Sequence, residues 1–573
     1  MMLASRLVPA LSTATRPATQ RRVATAAGEG VHAALCDRWA GGAVAVRTRV
    51  GDGALRELTY GELQERSRRA AAALRLGGVK RGDRVVVMLP KGPDVFVATV
   101  ALARLGAVYV PLFTAFEASG ASVRLVASGA TTVVTDAANR NKFSGLEPGR
   151  TVWTAGGAAR AGSDRDWDAA LAHGPPLLDA DHGAVARGSS EPVALLFSSG
   201  TTGNPKGIAV PARALEAFHE YMVSGLDVQD SDIYWNVADP GWAYGFYYNV
   251  LGPLSMGRPA LQLQAPFSAA SAVRFMKDAG VTNLAASPSF YRALRAEAQA
   301  CPELLAQPPP VRVASSAGEP LPRAVQEWFL HAFRGASLHS HYGQTENGML
   351  TVSSRTAAGA PRPPGFMGSA MRGFDLCVLA EDGSPAPDGS DGELAVRVAQ
   401  SPLFWFSGYH GSQGKGVVDA QGFYRTGDRA MASRDAASGL RAFCYTGRND
   451  DVIKSSGYKV GPGEVEDSIA QLGWVLESAV IGVPDLLRGE AIAAYVVPSP
   501  DVAKRAKADV AQAQRLSQEL QGHVKSQLAK HLVPKHVEFL DALPKTTSGK
   551  VQRFLLKQMH AAKAGRKGCK SHG

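Results

Sequence analysis

Strand-length apolar runs alternate with helix-length segments along most of this chain, and that rhythm narrows the fold more than any other feature. RVVVML (Arg84–Leu89) is followed by the helical segment Asp94–Leu105 and then by AVYVPL (Ala107–Leu112). Runs apolar on both faces suit strands covered on both sides, and a helix between two of them is the crossover that parallel strands require. The rhythm returns in VTNLAASP (Val281–Pro288) before Phe290–Ala300. It returns again in VRVASSAGEPL (Val311–Leu321) before PRAVQEWFLHAF, where Pro322 sits near a helix start and Val325, Trp328, Phe329 and Phe333 share one face. Val95–Phe113 approaches membrane-span length, but Arg104, Gly106 and Pro111 interrupt it. A buried helix and a core strand are expected there, with no stable membrane insertion.

From Asp375 to Val398 the pattern changes to short segments separated by the turns of EDGSPAPDGSDGE, which predicts antiparallel, β-barrel-like structure. Another unit begins near Asp450. EVEDSIAQ reads as a helix, SAVIGVPD and AIAAYVVP as strands, and Ala503–His531 as one long charged helix. At 573 residues the chain exceeds one core. The expected fold class is α/β: a large multi-subdomain body over 31–449 and a small mobile α+β domain over 450–560. A leader, 1–30, and a basic tail, 561–573, flank them.

A net charge of +11 first suggests nucleic acid, but its placement argues otherwise. Arg6, Arg16, Arg21 and Arg22 against Glu29 put +3 in the first thirty residues, and Lys563, Arg566, Lys567 and Lys570 put +4 at the other end. What is left is an ordinary solvated surface, so no nucleic-acid partner is expected. Cys36, Cys301, Cys377, Cys444 and Cys569 are scattered without a CxxC pair, which points to a reducing compartment and no structural metal. The first 28 residues hold four arginines and no acid. That is the composition of a mitochondrial transit peptide, and equally of an untidy start in an Ala-, Gly- and Arg-rich bacterial gene. A cytoplasmic location is the first expectation and the mitochondrial matrix the alternative.

LLFSSGTTGNPKGIAV (Leu195–Val210) interrupts two apolar runs with small and hydroxyl-bearing residues. Glycines let such a loop turn several amides toward one point, the geometry of a phosphate cradle, and Lys206 adds a cation. A long hairpin loop is the plainer reading. Gly207 after the lysine breaks the Walker spacing and argues against an ordinary P-loop NTPase.

Further motifs follow in order: WNVADPGWAYG (Trp235–Gly245), AGEPL (Ala317–Leu321), HYGQTENG (His341–Gly348), YRTGD (Tyr424–Asp428), GRNDDVIKSSGYKVGPGEVE (Gly447–Glu466) and PKTTSGK (Pro544–Lys550). With the glycine-rich loop, this ordered set resembles the AMP-forming acyl-CoA synthetases of the adenylate-forming superfamily across residues 31 to 560. The resemblance implies two half-reactions. A carboxylate attacks the α-phosphate of ATP to give an acyl-adenylate and pyrophosphate, and the thiol of CoA then displaces AMP. Both need charge stabilised on phosphate oxygens rather than a protein nucleophile.

Carried over residue by residue, the resemblance implies that Ser198, Ser199, Gly200, Thr201, Thr202, Gly203 and Lys206 hold the β- and γ-phosphates. Thr345, beside Gln344, would contact the α-phosphate, and Glu346 would carry Mg2+. Gly318, Glu319 and Pro320 with His341 and Tyr342 would form the adenine slot. Asp428 would accept the ribose hydroxyls, supported by Arg448. Lys550 would be the catalytic cation of the small domain and Asp450 its hinge. Ser456, Gly457 and Tyr458 would face CoA, and Arg488 would meet a CoA phosphate.

Two positions depart from relatives. Lys459 stands where many have arginine, which keeps charge but loses the two-pronged hydrogen bond. Gly343 stands where acetate-activating relatives have tryptophan, so the acyl pocket is expected to be open at its end. Trp242, Tyr244 and Gly343 are the expected acyl-pocket residues, suited to an aliphatic acid longer than acetate. The leading expectation is an acyl-CoA synthetase for short- to medium-chain acids that uses ATP, Mg2+ and CoA. An adenylating enzyme that loads a carrier protein or an amine is the alternative. A non-catalytic nucleotide-binding protein is the third reading, which the joint presence of Lys550, Glu346 and Asp428 opposes.

Overall fold

The computed structural model describes residues 29–145, 149–157, 164–178, 183–198, 205–352, 366–411, 416–434, 439–455, 458–485, 487–546 and 550–568. The first alternating region forms a seven-stranded sheet in the order Asp164–Asp166, Thr151–Ala155, Thr132–Asp136, Arg84–Met88, Val108–Pro111, Pro192–Ser198 and Lys206–Pro211. All neighbours are parallel except the last pair, whose antiparallel register sets Ser198 opposite Lys206. The crossover helix Pro93–Leu105 is buried over nearly its whole length, as its apolar run requires. Arg104, the charge within that run, is fully buried too. Its guanidinium grips both carboxylate oxygens of Asp37 at 2.5 and 2.7 Å and donates to Ser67 Oγ at 3.0 Å. A buried charge is tolerated when its donors are met in this way.

A ten-stranded sheet carries the later motifs. Tyr234–Asn236, Asn283–Ala286, Val313–Ala317 and Ser337–Gln344 run parallel, with helices Pro288–Ala300 and Arg323–Ala332 in the crossovers. The sheet then continues antiparallel through Gly348–Val352, Phe366–Ala370, Arg441–Arg448, Phe423–Arg434, Asp391–Arg397 and Leu376–Leu379. The antiparallel expectation for the Asp375–Val398 region holds, but its barrel-like closure does not. Closure needs the terminal strands to pair, and among the described residues Tyr234–Asn236 and Leu376–Leu379 stay at opposite ends of an open path.

From Ile453 onward a smaller sheet forms. Gly489–Pro498 pairs antiparallel with Val475–Asp485 and parallel with His536–Phe539, and Ile453–Ser455 pairs with Tyr458–Val460. Alternation along these strands splits the apolar side chains between two faces. Val480, Ile492 and Ala494 pack under Pro462–Ile469 and Val510–Gln527, whereas Ile481, Ala493 and Tyr495 pack with Leu556 of Arg553–Gly568. The single charged helix expected over Ala503–His531 is two helices, Pro500–Ala508 and Val510–Gln527. Asp509 breaks it by taking an extended backbone and capping the second helix, its carboxylate accepting from the Ala511 amide at 2.8 Å. No apolar cluster among the described residues crosses this boundary: those of the body end before residue 450, and those of the smaller unit begin at Ile453.

Candidate active site

The carboxyl ends of Val313–Ala317 and Ser337–Gln344 open into a cleft of about 2140 Å³. Ligands of α/β sheets bind at such strand ends, and this volume exceeds the few hundred Å³ of a single small-ligand pocket. Gly318, Glu319, Pro320, Tyr342, Thr345, Glu346, Asp428, Arg448, Asp450 and Lys550 all line it. Residues more than two hundred positions apart in sequence therefore share one space.

Asp428 sits at the centre of a polar knot. Its Oδ2 accepts from the Tyr342 hydroxyl at 2.6 Å and from Gln344 Nε2 at 2.7 Å, and Arg448 Nε stands 3.4 Å from Oδ1. Gln344 is held in turn by the Tyr424 hydroxyl at 3.1 Å. This fixes one carboxylate oxygen and turns the other toward Arg448. Gly318 takes a φ of +108°, and a Cβ there would lie 3.3 Å from the Trp242 ring. Glycine thus permits both the turn and the close approach of the indole. Glu319 is anchored by Ser289 Oγ at 3.0 Å and by Arg292 at 2.9 Å.

Trp242 itself is placed by the turn of the ADPGW segment. Asp239 accepts the Gly241 amide at 2.8 Å through its side chain and the Trp242 amide at 3.0 Å through its carbonyl. The ammonium of Lys550 lies 5.9 Å from the centre of the indole ring, a cation over a π face. It makes no ion pair among the described residues. Enclosure by the cleft walls is the main cause that holds its pKa below the ordinary lysine value, with Glu319 acting against that shift and Arg448 adding to it.

At the other end of the cleft, Ser198 lines the wall and Lys206 holds its ammonium 5.1 Å from the centre of the Tyr409 ring. The Tyr409 hydroxyl donates to Glu346 Oε1 at 3.0 Å. Tyr409 therefore ties the start of the phosphate-loop partner strand to the expected metal carboxylate. It was not anticipated from sequence, and SGYHG offers no spacing signal that would have found it. Arg292, which bridges Glu319 and, at 3.8 Å, Glu477 of the smaller unit, was missed for the same reason.

Several expected site residues fall elsewhere. Ser199, Gly200, Thr201, Thr202, Gly203, Ser456 and Gly457 lie outside the described residues. Tyr458 belongs to the strand Tyr458–Val460, and Arg488 is exposed with its amide bonded to Asp485 and does not line the cleft. His341 lines the cleft with Tyr342, but the two side chains part. Neighbouring strand residues point to opposite faces, and the imidazole turns to the Tyr221 hydroxyl at 2.7 Å while Tyr342 reaches Asp428. Tyr244 is not a cleft-lining residue either. It packs inside, its hydroxyl 3.3 Å from that of Tyr221.

Gly343 lines the cleft, as expected, and the hairpin behind it also requires glycine. A Cβ at this position would lie 2.1 Å from the Gly348 carbonyl oxygen and 2.7 Å from Met349 Cα. A side chain would run into the returning strand Gly348–Val352, where a bulge offsets the register, so the hairpin itself requires glycine here.

Comparison with known proteins follows the same outline. Residues 34–410 match the family model for AMP-binding enzymes, and residues 464–550 match that of the AMP-binding enzyme C-terminal domain. The chain is 32% identical to the acyl-coenzyme A synthetase ACSM4, mitochondrial, of Homo sapiens, covering 87% of this chain and 83% of that protein. Against ACSM5, mitochondrial, of Homo sapiens the identity is 31%, covering 90% and 86%. Among solved structures, an acyl-CoA synthetase from Brucella canis superposes with a TM-score of 0.70 at 38% identity, covering 94% of this chain and 95% of that one.

Proposed function

Because this chain belongs to the AMP-binding enzymes, as an AMP-forming acyl-CoA ligase, we propose that the cleft performs the two half-reactions with the following division of labour. ATP and CoA are its co-substrates. The observation that carries the assignment is the convergence of Lys550, Trp242, Gly318, Thr345 and Asp428 on one cleft.

In the first half-reaction Asp428, steadied by Tyr342, Gln344 and Arg448, takes the ribose hydroxyls. The segment Gly318–Pro320 with Tyr342 flanks the adenine. Thr345 meets the α-phosphate, and the loop between Ser198 and Lys206 receives the two outer phosphates. Glu346, whose other carboxylate oxygen lies outside its bond to Tyr409, would hold Mg2+. The bound ion would neutralise phosphate charge. Lys550 stands where the acid carboxylate and the α-phosphate meet, and its ammonium offsets the negative charge that accumulates as the bond forms. The domain limits 31–449 and 450–560, with Asp450 as hinge, describe the piece that then turns to bring Ser456, Gly457 and Tyr458 to the thiol.

The acid is a short- to medium-chain carboxylate, a reading supported by the ACSM relatives and by half-buried Trp242 in the cleft wall. No helix among the described residues is long and apolar enough to cross a membrane. The mitochondrial names of these relatives fit the matrix reading of the leader, and import of a reporter fused to residues 1–28 tests it.

The decisive experiment mixes the protein with ATP, Mg2+ and acids of two to twelve carbons and measures pyrophosphate, then adds CoA and weighs the product. Acid-dependent pyrophosphate followed by an acyl-CoA mass is the expected result. No release with any acid would overturn the assignment, and an adenylate that CoA leaves untouched would redirect it to another acceptor.

A further inference from the structure

Two opposite charges of the proposed phosphate site stand on either side of one tyrosine and do not pair. The Lys206 ammonium lies 5.1 Å from the centre of the Tyr409 ring, and Glu346 Oε1 accepts from the Tyr409 hydroxyl at 3.0 Å. Among the described residues Lys206 and Glu346 make no ion pair with each other. A flexible lysine this near a glutamate is attracted to it. Once paired, each would have to be released before it could meet a phosphate or a metal ion.

The backbone sets the tyrosine between them. Tyr409 forms an antiparallel bridge with Ile208, and the amide of His410 donates to the Gly207 carbonyl at 2.7 Å. A Cβ on Gly207 would lie 3.0 Å from His410 Cβ. The glycine that follows Lys206 and breaks the Walker spacing thus lets this segment lie close against the lysine strand. Tyr409 is fixed on the strand that carries Lys206, while its hydroxyl crosses to the turn that carries Glu346. Phe406 meets the ring edge-on with centroids 5.2 Å apart, and Tyr409 and Glu346 both line the cleft. Burial and then the Glu346 charge hold the phenol well above its ordinary pKa, so the hydroxyl stays a donor.

We propose that Tyr409 is a positioning residue that keeps Lys206 and Glu346 apart, so that the triphosphate meets an unpaired ammonium and Mg2+ a carboxylate held in one orientation. This inference rests on the acid-activating reading above and adds a residue to its nucleotide site. Tyrosine offers both contacts at once, a π face for the cation and a donor at its rim for the carboxylate. Phenylalanine keeps the first and loses the second. Leucine has neither.

Calorimetric titration of the full-length protein with ATP, with and without Mg2+, separates the two contacts. Affinity without Mg2+ reads Lys206, and the gain on adding Mg2+ reads Glu346. Tyr409→Phe is expected to keep the Mg2+-free affinity within about 2-fold and to cut the Mg2+ gain about 3–10-fold. Tyr409→Leu is expected to cut the gain likewise and also to lower the Mg2+-free affinity about 2–5-fold. Glu346→Gln, which cannot form the ion pair, is expected to improve Mg2+-free binding about 2–5-fold more in the leucine background than in the unaltered protein. A merely structural role would move both readings together in both variants. An Mg2+ gain unmoved by Tyr409→Phe, or an equal effect of Glu346→Gln in the two backgrounds, would overturn the inference, while acid-dependent pyrophosphate release would keep the acid-activating reading intact. The phenylalanine arm suffices if the leucine variant does not fold. An unaltered protein that binds no ATP in either condition would overturn both.

Discussion

The Tyr342 hydroxyl donates to Oδ2 of Asp428 at 2.6 Å, joining the QTE segment to the TGD turn across 86 residues of chain. The carboxylate is thereby oriented before any ligand arrives. Asp428→Asn replaces an acceptor of charge-assisted bonds with an amide that must donate on one side. The KM for ATP is expected to rise about 10–100-fold. Tyr342→Phe, which only loosens the carboxylate, is expected to raise it about 3–10-fold. Initial rates of pyrophosphate release against ATP concentration measure both, and an unchanged KM in Asp428→Asn would remove Asp428 from the nucleotide site.

Lys550 gives a pH signature. In the proposed mechanism its protonated form does the work, and the cleft disfavours that form, so its pKa is lowered. Activity should therefore hold below that lowered pKa and fall as pH rises through it, earlier than an ordinary lysine would dictate. Lys550→Arg, which does not deprotonate in this range, is expected to flatten the alkaline limb. Lys550→Ala is expected to cut kcat for adenylation by a factor on the order of 10²–10³ with ATP affinity nearly kept, as seen by kinetics and calorimetric titration.

Glu477 of the smaller unit takes the Lys545 ammonium and lies 3.8 Å from Arg292, which in turn holds Glu319 beside the proposed adenine slot. This part-exposed chain of charges is worth little in stability, but it favours the arrangement that brings Lys550 into the cleft. Glu477→Gln is expected to slow the adenylation step about 2–5-fold in single-turnover measurements and to leave transfer from preformed acyl-adenylate to CoA no slower. Slowing of both steps alike would count against a positional role.

Gly343→Ala tests the hairpin. The added methyl would meet the Gly348 carbonyl oxygen at 2.1 Å. Relief requires backbone movement, so a loss of about 2–4 kcal/mol is expected in denaturant unfolding. Stability equal to the unaltered protein would show that the hairpin does not require glycine here.

The α/β body was legible because a strand covered on both faces must be apolar throughout, and Arg84–Met88 and Val108–Pro111 have no other home. Barrel closure was not legible: turn residues reveal hairpins, but which strands meet at the edges depends on distant partners. The same limit applies to the site. Asp428, Glu346 and Lys550 belong to short motifs and could be named from order alone. Tyr409, Arg292 and the outward or inward turn of His341 depend on contacts between elements that share no local pattern. Gly343 shows the reverse hazard: a glycine looks like empty space in sequence, while here a Cβ would lie 2.1 Å from the Gly348 carbonyl oxygen.

The divided apolar clusters bear on the proposed turning of the smaller unit. Were the body and the smaller unit joined by hydrocarbon, each turnover would wet that surface again at about 25 cal/mol for every Å² parted. Arg292, Glu477 and Lys545 sit at this junction instead, and water solvates separated charges about as well as they solvate each other. In the proposed rotation, swinging the smaller unit is then close to thermoneutral, the ligand present decides which position it takes, and modest ionic strength is expected to loosen the hold without harming either fold.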